Sequence, residues 1–165
     1  MDNITLLLIK TTIIGLGATL TFDLWAQLLK FIFKIAPSNI CMVGRWLLYM
    51  PKGIFKHSNI TKTPEKAGEC AAGWIAHYMI GITLALIFVF ITGSNWLQQP
   101  SILPAIVFGF ASVIAPLFIM QPAFGFGFAA SKTPNPNQAR IRSLMNHAAF
   151  GVGIYLFALL VNLFP

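Results

Sequence analysis

The sequence predicts an all-α integral membrane protein, a bundle of four transmembrane helices with a short interfacial helix between the first two. Of its 165 residues, 57% are hydrophobic and only 9% are charged, whereas about a quarter of the residues in soluble globular domains are charged. The mean hydropathy is +0.77. Because each span requires ~20 apolar residues, a chain of this length has room for four spans and short loops, within a single membrane domain.

The net charge of +7 would suggest nucleic acid binding in a soluble chain. Here the basic residues lie between the hydrophobic stretches, a pattern that sets membrane topology. We therefore expect the lipid bilayer, and no nucleic acid, as a partner.

The first predicted span covers residues 4–35, where the apolar stretch between Lys10 and Lys30 would rise ~30 Å as a helix. Its start has neither a basic n-region nor a cleavage site, so we expect it to be retained as a span. Residues 39–50 are too short to cross the bilayer and mix apolar side chains with Arg45. They are expected to lie at the interface, with Trp46 and Tyr49 at headgroup level.

Three further spans are predicted at residues 67–92, 102–124 and 138–164. Pro116 falls inside the third of the four spans, where it removes a backbone hydrogen bond and is expected to kink the helix. Pro134 and Pro136 exclude a continuous helix between the third and fourth spans.

The basic residues also predict an orientation. Nearly all of them lie between spans one and two or between spans three and four. The positive-inside rule makes that side cytoplasmic. Both termini are thus predicted to be periplasmic, with the protein in a bacterial inner membrane and its basic loops on anionic lipid headgroups. Cys41 and Cys70 lie on the same side, where thiols stay reduced, so no disulfide is expected.

Ionisable residues recur with small residues at four-residue spacing, which places them on one helix face. The three stripes are Thr11, Gly15, Thr19, Asp23 and Gln27; Glu69, Gly73, His77 and Gly81; and Ser143, His147, Gly151 and Tyr155. Counted from the cytoplasmic boundary, Asp23, His77 and His147 lie ~10, ~15 and ~8 Å deep. Ionisable groups in hydrocarbon face a bundle interior or a cavity, so the sequence predicts a polar layer made by these three residues.

A metal ion or a haem is the first predicted ligand of this layer. Two His and one carboxylate suit iron, zinc or manganese, with Glu69 as a fourth ligand. The two His would alternatively be the axial ligands of a haem b. Supporting polar or anion contacts are expected from Arg45, His57, Gln121, Arg140 and Arg142. The three arginines among them would be available for the haem propionates.

Two other functions stay open. Asp23 and His77 would form a proton relay in a small transporter. The polar residues would otherwise only lock the helices through hydrogen bonds worth ~0.6 kcal/mol each, as in a structural subunit that binds a membrane partner or a second copy of the chain. Catalysis has little support, because the sequence has no nucleophile-and-base motif and no phosphate-binding loop.

Motifs along nearly the whole chain also resemble a known family. They are Gly17-Ala-Thr19, Asp23-Leu-Trp25, Val43-Gly-Arg45-Trp46, Met50-Pro51, Phe55-x-His57, Gly73-Trp74-x-x-His77-Tyr78, Met120-Gln-Pro122, Thr133-Pro-Asn-Pro136 and Arg142-Ser-Leu-x-x-His147-x-x-Phe-Gly151. Together they resemble the bacterial membrane family known as domain of unknown function 2938. The resemblance implies a four-span inner-membrane protein and implies no chemistry. It also implies that Asp23, His57, His77, Arg142 and His147 belong to the family pattern.

Overall fold

The computed structural model of the protein describes residues 3–163, and the regular elements in that range are all helical. Four helices are long and apolar enough to cross a membrane: Ile4–Phe33, Glu69–Thr92, Ile102–Ala123 and Pro136–Val161. The predicted class of four long apolar helices is therefore confirmed, with ends within a few residues of the predicted ones. Phe164, the predicted end of the fourth span, lies outside the described residues.

The predicted short helix between the first two spans is also present. The first half of the chain contains α1 (Asn3–Phe33), α2 (Cys41–Tyr49), 3-10 turns at Met50–Lys52 and Ile60–Lys62, and α3 (Glu69–Thr92). A further short helix that the sequence does not predict, α4 (Asn95–Gln98), follows the second long helix.

The third long helix is interrupted near Pro116, as predicted. Its regular part is α5 (Ile102–Ser112), which is followed by a π-helical turn (Ala115–Met120) and by a short end, α6 (Gln121–Ala123). Proline has no N–H to donate, and its ring clashes with the preceding turn of an α-helix. A wider π turn is one of the ways in which a helix accommodates such a break.

The fourth long helix, α7 (Pro136–Val161), begins at a proline. Proline suits the first position of a helix, where its missing N–H would have no partner in any case. The connection before it contains a 3-10 turn in which Ala129 and Ala130 have φ angles of 47° and 62°. Such left-handed conformations are uncommon for residues other than glycine. Arg140 stabilises this turn, because its Nε donates to the Ala129 carbonyl oxygen at 2.7 Å.

The chain divides into two compact units. The first, which we call the bundle unit, comprises residues 3–36, 78–112 and 145–163. Glycines such as Gly15 and Gly151 let its helix backbones approach closely. A methyl group at Gly15 would lie 2.6 Å from the Cα of Ile82, and one at Gly151 would lie 2.5 Å from the carbonyl oxygen of Ala105. Small residues at such contacts are typical of helix packing in membranes.

The second unit, which we call the loop unit, comprises residues 37–77 and 113–144. Its small apolar core is formed by Val43, Ile60 and Phe124. The indole Nε1 of Trp46 donates to the Phe55 carbonyl oxygen at 2.8 Å. Helix α2 is thus fixed to the segment that follows it by a hydrogen bond as well as by apolar contact.

A disulfide joins Cys41 on α2 to Cys70 on α3. The expectation that these cysteines stay unpaired is therefore wrong. That expectation rested on the redox state of a compartment, whereas the pairing follows from how closely α2 and α3 cross. At the crossing, a Cβ added to Gly44 would lie only 2.5 Å from the backbone nitrogen of Gly73. This approach brings the two cysteines together.

Loss of this disulfide is expected to lower the free energy of unfolding by about 2–4 kcal/mol, because the bond restricts the unfolded chain. The two cysteines are 29 residues apart in sequence. Reduced wild type and a Cys41→Ser/Cys70→Ser variant should show the same lowered melting temperature in detergent, measured by circular dichroism. The variant is also the control, since dithiothreitol should not change its melting temperature. Equal values for oxidised and reduced wild type would contradict this contribution.

Candidate functional site

Asp23 is half-buried on α1 of the bundle unit and has a hydroxyl partner on α3. The Tyr78 hydroxyl donates to Asp23 Oδ2 at 3.1 Å. One turn earlier on α1, Thr19 is buried and donates to the Gly15 carbonyl oxygen at 2.8 Å. A Cβ added to Gly81 of α3 would overlap the Thr19 hydroxyl. The polar stripe predicted on α1 therefore contacts α3.

His147 is half-buried on α7 and is oriented by a hydroxyl at the end of α5. Its Nδ1 lies 2.7 Å from Ser112 Oγ. Ser112 has one hydroxyl proton, which it donates to the Gly109 carbonyl oxygen at 2.6 Å. When this proton is on the Gly109 hydrogen bond, the imidazole donates from Nδ1, and Nε2 is the nitrogen that carries the lone pair. The ring of Phe22 packs edge-on against the imidazole, with ring centroids 5.5 Å apart.

Sequence reasoning gave no role to three polar residues of the bundle unit, namely Tyr78, Ser112 and Asn146. The hydroxyls of Tyr78 and Ser112 do not stand out in the sequence, because the prediction of the polar layer depends on ionisable groups at four-residue spacing. Asn146 is 2% exposed on α7, and its Oδ1 has no hydrogen-bond partner. A buried acceptor without a donor costs ~1–3 kcal/mol. A search for any amide within an apolar span would have found this residue.

His77 lies on the part of α3 that belongs to the loop unit, whereas Asp23 and His147 belong to the bundle unit. Its ring centroid is 5.8 Å from that of Trp74. The predicted layer of three residues stays a prediction. Within residues 3–163, no group of three or more His, Cys, Asp or Glu side chains is arranged to hold a metal ion.

Glu69, the predicted fourth metal ligand, is the anion of a buried ion pair. Arg45 on α2 donates from Nε to Glu69 Oε2 at 2.8 Å and from Nη2 to Oε1 at 2.6 Å. The backbone N–H of Lys66 also donates to Oε2, at 2.8 Å. Arg45 and Glu69 are only 5% and 6% exposed. Both carboxylate oxygens are therefore engaged within the protein, which corrects the expectation of a metal-ligating Glu69.

Each of the five N–H donors of Arg45 has an acceptor in the protein. Besides the two bonds to Glu69, Nη1 donates to the carbonyl oxygens of Ile60 at 3.1 Å and Thr63 at 2.9 Å, and Nη2 donates to Glu65 at 3.1 Å. The hydrogen bond to Glu69 raises the pKa of Arg45 above its ordinary value. Arg45 was expected to contact an anion or a haem propionate. It instead joins α2, the segment after it and the start of α3.

The other predicted contact residues have separate surroundings. Arg140 donates to the Ala129 carbonyl oxygen and, from Nη1, to Asn137 Oδ1 at 3.2 Å. Gln121 on α6 has a buried Oε1 with no hydrogen-bond partner. Arg142 is half-buried in the first turns of α7. Arg140 thus supports the connection that precedes α7. The predicted ligand contacts of all three residues stay predictions.

His57 is 6% exposed in the loop unit and lines a small cavity. Its Nδ1 lies 3.1 Å from the Thr63 hydroxyl oxygen, and its ring packs edge-on against Tyr49 with centroids 5.3 Å apart. Burial lowers the pKa of His57, and the positive charge of Arg45 lowers it further. His57 is therefore a neutral imidazole at neutral pH.

An apolar groove lies apart from the polar residues of the bundle unit. It has a volume of about 650 Å³ and runs between α1 and α7, where Thr21 and Met145 are among its mainly apolar lining residues. Asp23 and His147 lie two positions further along these helices, and therefore on nearly opposite faces. Such an apolar groove is typical of a surface covered by lipid chains.

Arg45→Ala is expected to lower the free energy of unfolding by about 3–5 kcal/mol, because it leaves the Glu69 carboxylate buried without a partner. An Arg45→Met/Glu69→Leu variant should recover most of the loss, since neither buried charge remains. Chemical unfolding in detergent, followed by circular dichroism, measures both. Lys52→Ala is the matched control, because Lys52 is an exposed basic residue of the same unit. A loss no larger for Arg45→Ala than for Lys52→Ala would contradict this role.

Comparison with known proteins identifies a family. A family model described as a protein of unknown function (DUF2938) matches residues 12–161, which is nearly the whole chain. No curated protein and no solved structure matches the chain. The family match agrees with the resemblance of the motifs and assigns no activity, so a function has to be argued from the residues themselves.

Proposed function

Since the chain belongs to the family of unknown function DUF2938, we propose a function from its own residues: it is a small proton-coupled transporter of the bacterial inner membrane. Asp23 and His147 are the groups that take up and release the proton. Both lie within helices that are long and apolar enough to span a membrane. Ionisable groups are costly there and commonly mark proton pathways.

The hydrogen bonding of His147 is the observation that carries this proposal. Histidine is the side chain whose charge changes most readily near neutral pH. Because Ser112 donates to Gly109, the imidazole donates from Nδ1 and keeps Nε2 as a proton acceptor.

Asp23 supplies a second protonatable group on another helix. The Tyr78 hydroxyl donates to its carboxylate at 3.1 Å, as suits the ionised form. When the carboxyl group takes up a proton, the same hydroxyl can rotate and accept a hydrogen bond from it. The pair thus accommodates both charge states without a change in the backbone.

The interrupted third helix also favours a transporter. Interrupted helices that line the substrate site are typical of secondary transporters, and π turns frequently occur at functional sites. Here the regular helix ends at Ser112, the partner of His147, and the π turn follows at Ala115–Met120.

The metal-ion and haem hypotheses have weaker support. Both oxygens of Glu69 bind Arg45, which removes the fourth proposed ligand. Arg45 and Arg140, two of the side chains expected to hold haem propionates, donate to acceptors within the protein. A Soret band or bound metal in gently extracted protein, lost in His147→Ala, would favour those functions instead.

Proton entry into liposomes tests the proposed function. The protein is reconstituted into liposomes that contain the pH-sensitive dye pyranine, and valinomycin imposes a potassium diffusion potential. The proposed carrier cycle is expected to run without a bound solute as well, as an uncoupled proton leak through Asp23 and His147. Proton entry in the absence of solute is therefore expected to be faster than in protein-free liposomes. It should fall by about tenfold or more in Asp23→Asn and in His147→Gln, because neither new side chain can act as the proton carrier.

Gln27→Leu is the matched control for this experiment, because Gln27 is an exposed polar residue one turn beyond Asp23 on the same helix. It should leave proton entry unchanged. The proposed function is refuted if wild-type protein admits protons no faster than empty liposomes. It is also refuted if folded Asp23→Asn and His147→Gln proteins admit them as fast as wild type.

We further propose that both termini face the periplasm, with the basic loops on anionic lipid in the cytoplasm. All Lys and Arg residues other than Lys10 lie on the loop side of the spans, and the positive-inside rule rests on such an asymmetry. The Cys41–Cys70 disulfide weighs against this orientation, since disulfides persist in oxidising compartments. We give more weight to the charges, because the opposite orientation would move nearly all of them outside.

Fusions at the C-terminus test this orientation. Alkaline phosphatase, which folds only with its disulfides, should be active there, and green fluorescent protein should be dark. Fusions after Gly93, in the loop between the second and third long helices, should behave in the same way, because an even number of spans separates the two positions. The reverse pattern at both positions would contradict the orientation and would place the disulfide in the periplasm.

A further inference from the structure

The loop unit contains a small cavity that the proposed transport does not use. Its volume is about 230 Å³, and it is lined by residues of the segments 56–58 and 122–132. Backbone hydrogen bonds hold these segments together, from the N–H of His57 to the Ala123 carbonyl oxygen at 2.8 Å and from the N–H of Ile60 to the Phe124 carbonyl oxygen at 2.9 Å. The walls of the cavity are therefore fixed within one unit.

His57 lines this cavity, and its imidazole has a buried nitrogen without a partner. Nδ1 is next to the Thr63 hydroxyl, whereas Nε2 is buried and has no hydrogen-bond partner. Buried polar atoms nearly always have a partner, so an exception calls for a bound group. Because His57 is 6% exposed and lines the cavity, we infer that such a group enters from the cavity.

The direction in which the Thr63 hydroxyl donates its proton determines whether Nε2 is a hydrogen-bond donor or an acceptor. If Thr63 donates to Nδ1, the proton of the neutral imidazole is on Nε2, which then needs an acceptor. If Thr63 donates to the Asn59 carbonyl oxygen, which lies 3.2 Å away, His57 donates from Nδ1. In that case the neutral ring carries its lone pair on Nε2, which needs a hydroxyl donor. An oxyanion that keeps one proton meets either need, because it accepts through one oxygen and donates through its hydroxyl.

The other polar residues that line the cavity carry hydrogen-bond donors on their side chains. Lys56 and Lys132 carry ammonium groups, and Ser58 and Ser131 carry hydroxyls. None of the lining residues, all of which belong to the described part of the chain, is acidic. Cationic groups in a concave site without carboxylate partners attract anions. Arg45 differs from these lysines, because its charge is already paired.

Two glycines keep the cavity open. Gly125 and Gly127 have φ angles of 84° and 74°, a conformation that favours glycine. A Cβ added to Gly125 would overlap the Ser58 carbonyl oxygen. A Cβ added to Gly127 would overlap the Ser131 hydroxyl and lie 2.9 Å from Cγ of Lys132. Side chains at these two positions would displace the polar groups that line the cavity.

We propose that this cavity binds a phosphate group, either as free inorganic phosphate or as the phosphate of a lipid headgroup. The phosphate pairs with His57 Nε2 through an oxygen or through its hydroxyl, its oxygens accept from the two lysines, and the serine hydroxyls complete the set of donors. The site uses none of the residues assigned to proton transfer. The two proposals can therefore fail separately.

Calorimetric titration of the full-length protein in a non-ionic detergent tests the phosphate site. One titration uses inorganic phosphate at constant ionic strength, and the other uses dihexanoyl phosphatidic acid. Binding of inorganic phosphate identifies free phosphate as the ligand class, and binding of phosphatidic acid alone identifies a lipid headgroup. In either case Lys132→Gln and His57→Gln should weaken binding by about tenfold or more, as expected for a lost charge-assisted hydrogen bond.

Lys52→Gln and Lys62→Gln are the matched controls, because they remove the same charge from exposed lysines of the loop unit that do not line the cavity. They should leave binding within a factor of about two. Binding of neither ligand to wild type overturns the proposal. Equal weakening by Lys52→Gln and Lys132→Gln also overturns it, since the attraction would then be diffuse. Unchanged binding in a folded His57→Gln protein overturns it as well.

Discussion

The buried ion pair between Arg45 and Glu69 is the interaction on which the loop unit depends. Removing two charges from water is expensive, and the cost is offset only when every donor and acceptor finds a partner. Here all five guanidinium N–H groups are used. Because one of them binds the Thr63 carbonyl oxygen, the pair also positions the Thr63 hydroxyl beside His57. The position of His57 in the wall-forming segment of the cavity therefore depends on the same ion pair.

The long helices could be predicted from sequence because their physical cause is local. A span must be apolar over its whole length and must satisfy its own backbone hydrogen bonds, so hydropathy locates it without knowledge of its neighbours. The interruption at Pro116 was predictable for the same reason. The disulfide and the ion pair were not predictable in this way, since both depend on where α2 crosses α3. Gly44 and Gly73 set that crossing, and no periodic pattern links these two distant positions.

The same distinction between local and long-range causes explains which polar contacts could be predicted. The four-residue stripe through Thr19 and Asp23 correctly predicted a face of α1 that contacts another helix. Its partner Tyr78 was not predicted, because hydroxyl groups are common and do not stand out in an apolar span. The role of Arg45 was not predictable from the number of basic residues. That number indicates the orientation of the protein in the membrane, but it does not distinguish a cation in water from one that is paired with a carboxylate.

The π turn at Ala115–Met120 gives the third helix a freedom that a regular helix lacks. Such a turn contains one residue more than the helix around it, and it can migrate along the chain by exchanging a few adjacent backbone bonds. Migration toward the N-terminus would rotate Ser112 about the helix axis and carry its hydroxyl away from the imidazole of His147. A shift of the π turn within this one helix would thus remove the hydrogen bond by which Ser112 fixes the tautomer of His147. The other helices of the bundle unit would keep their positions.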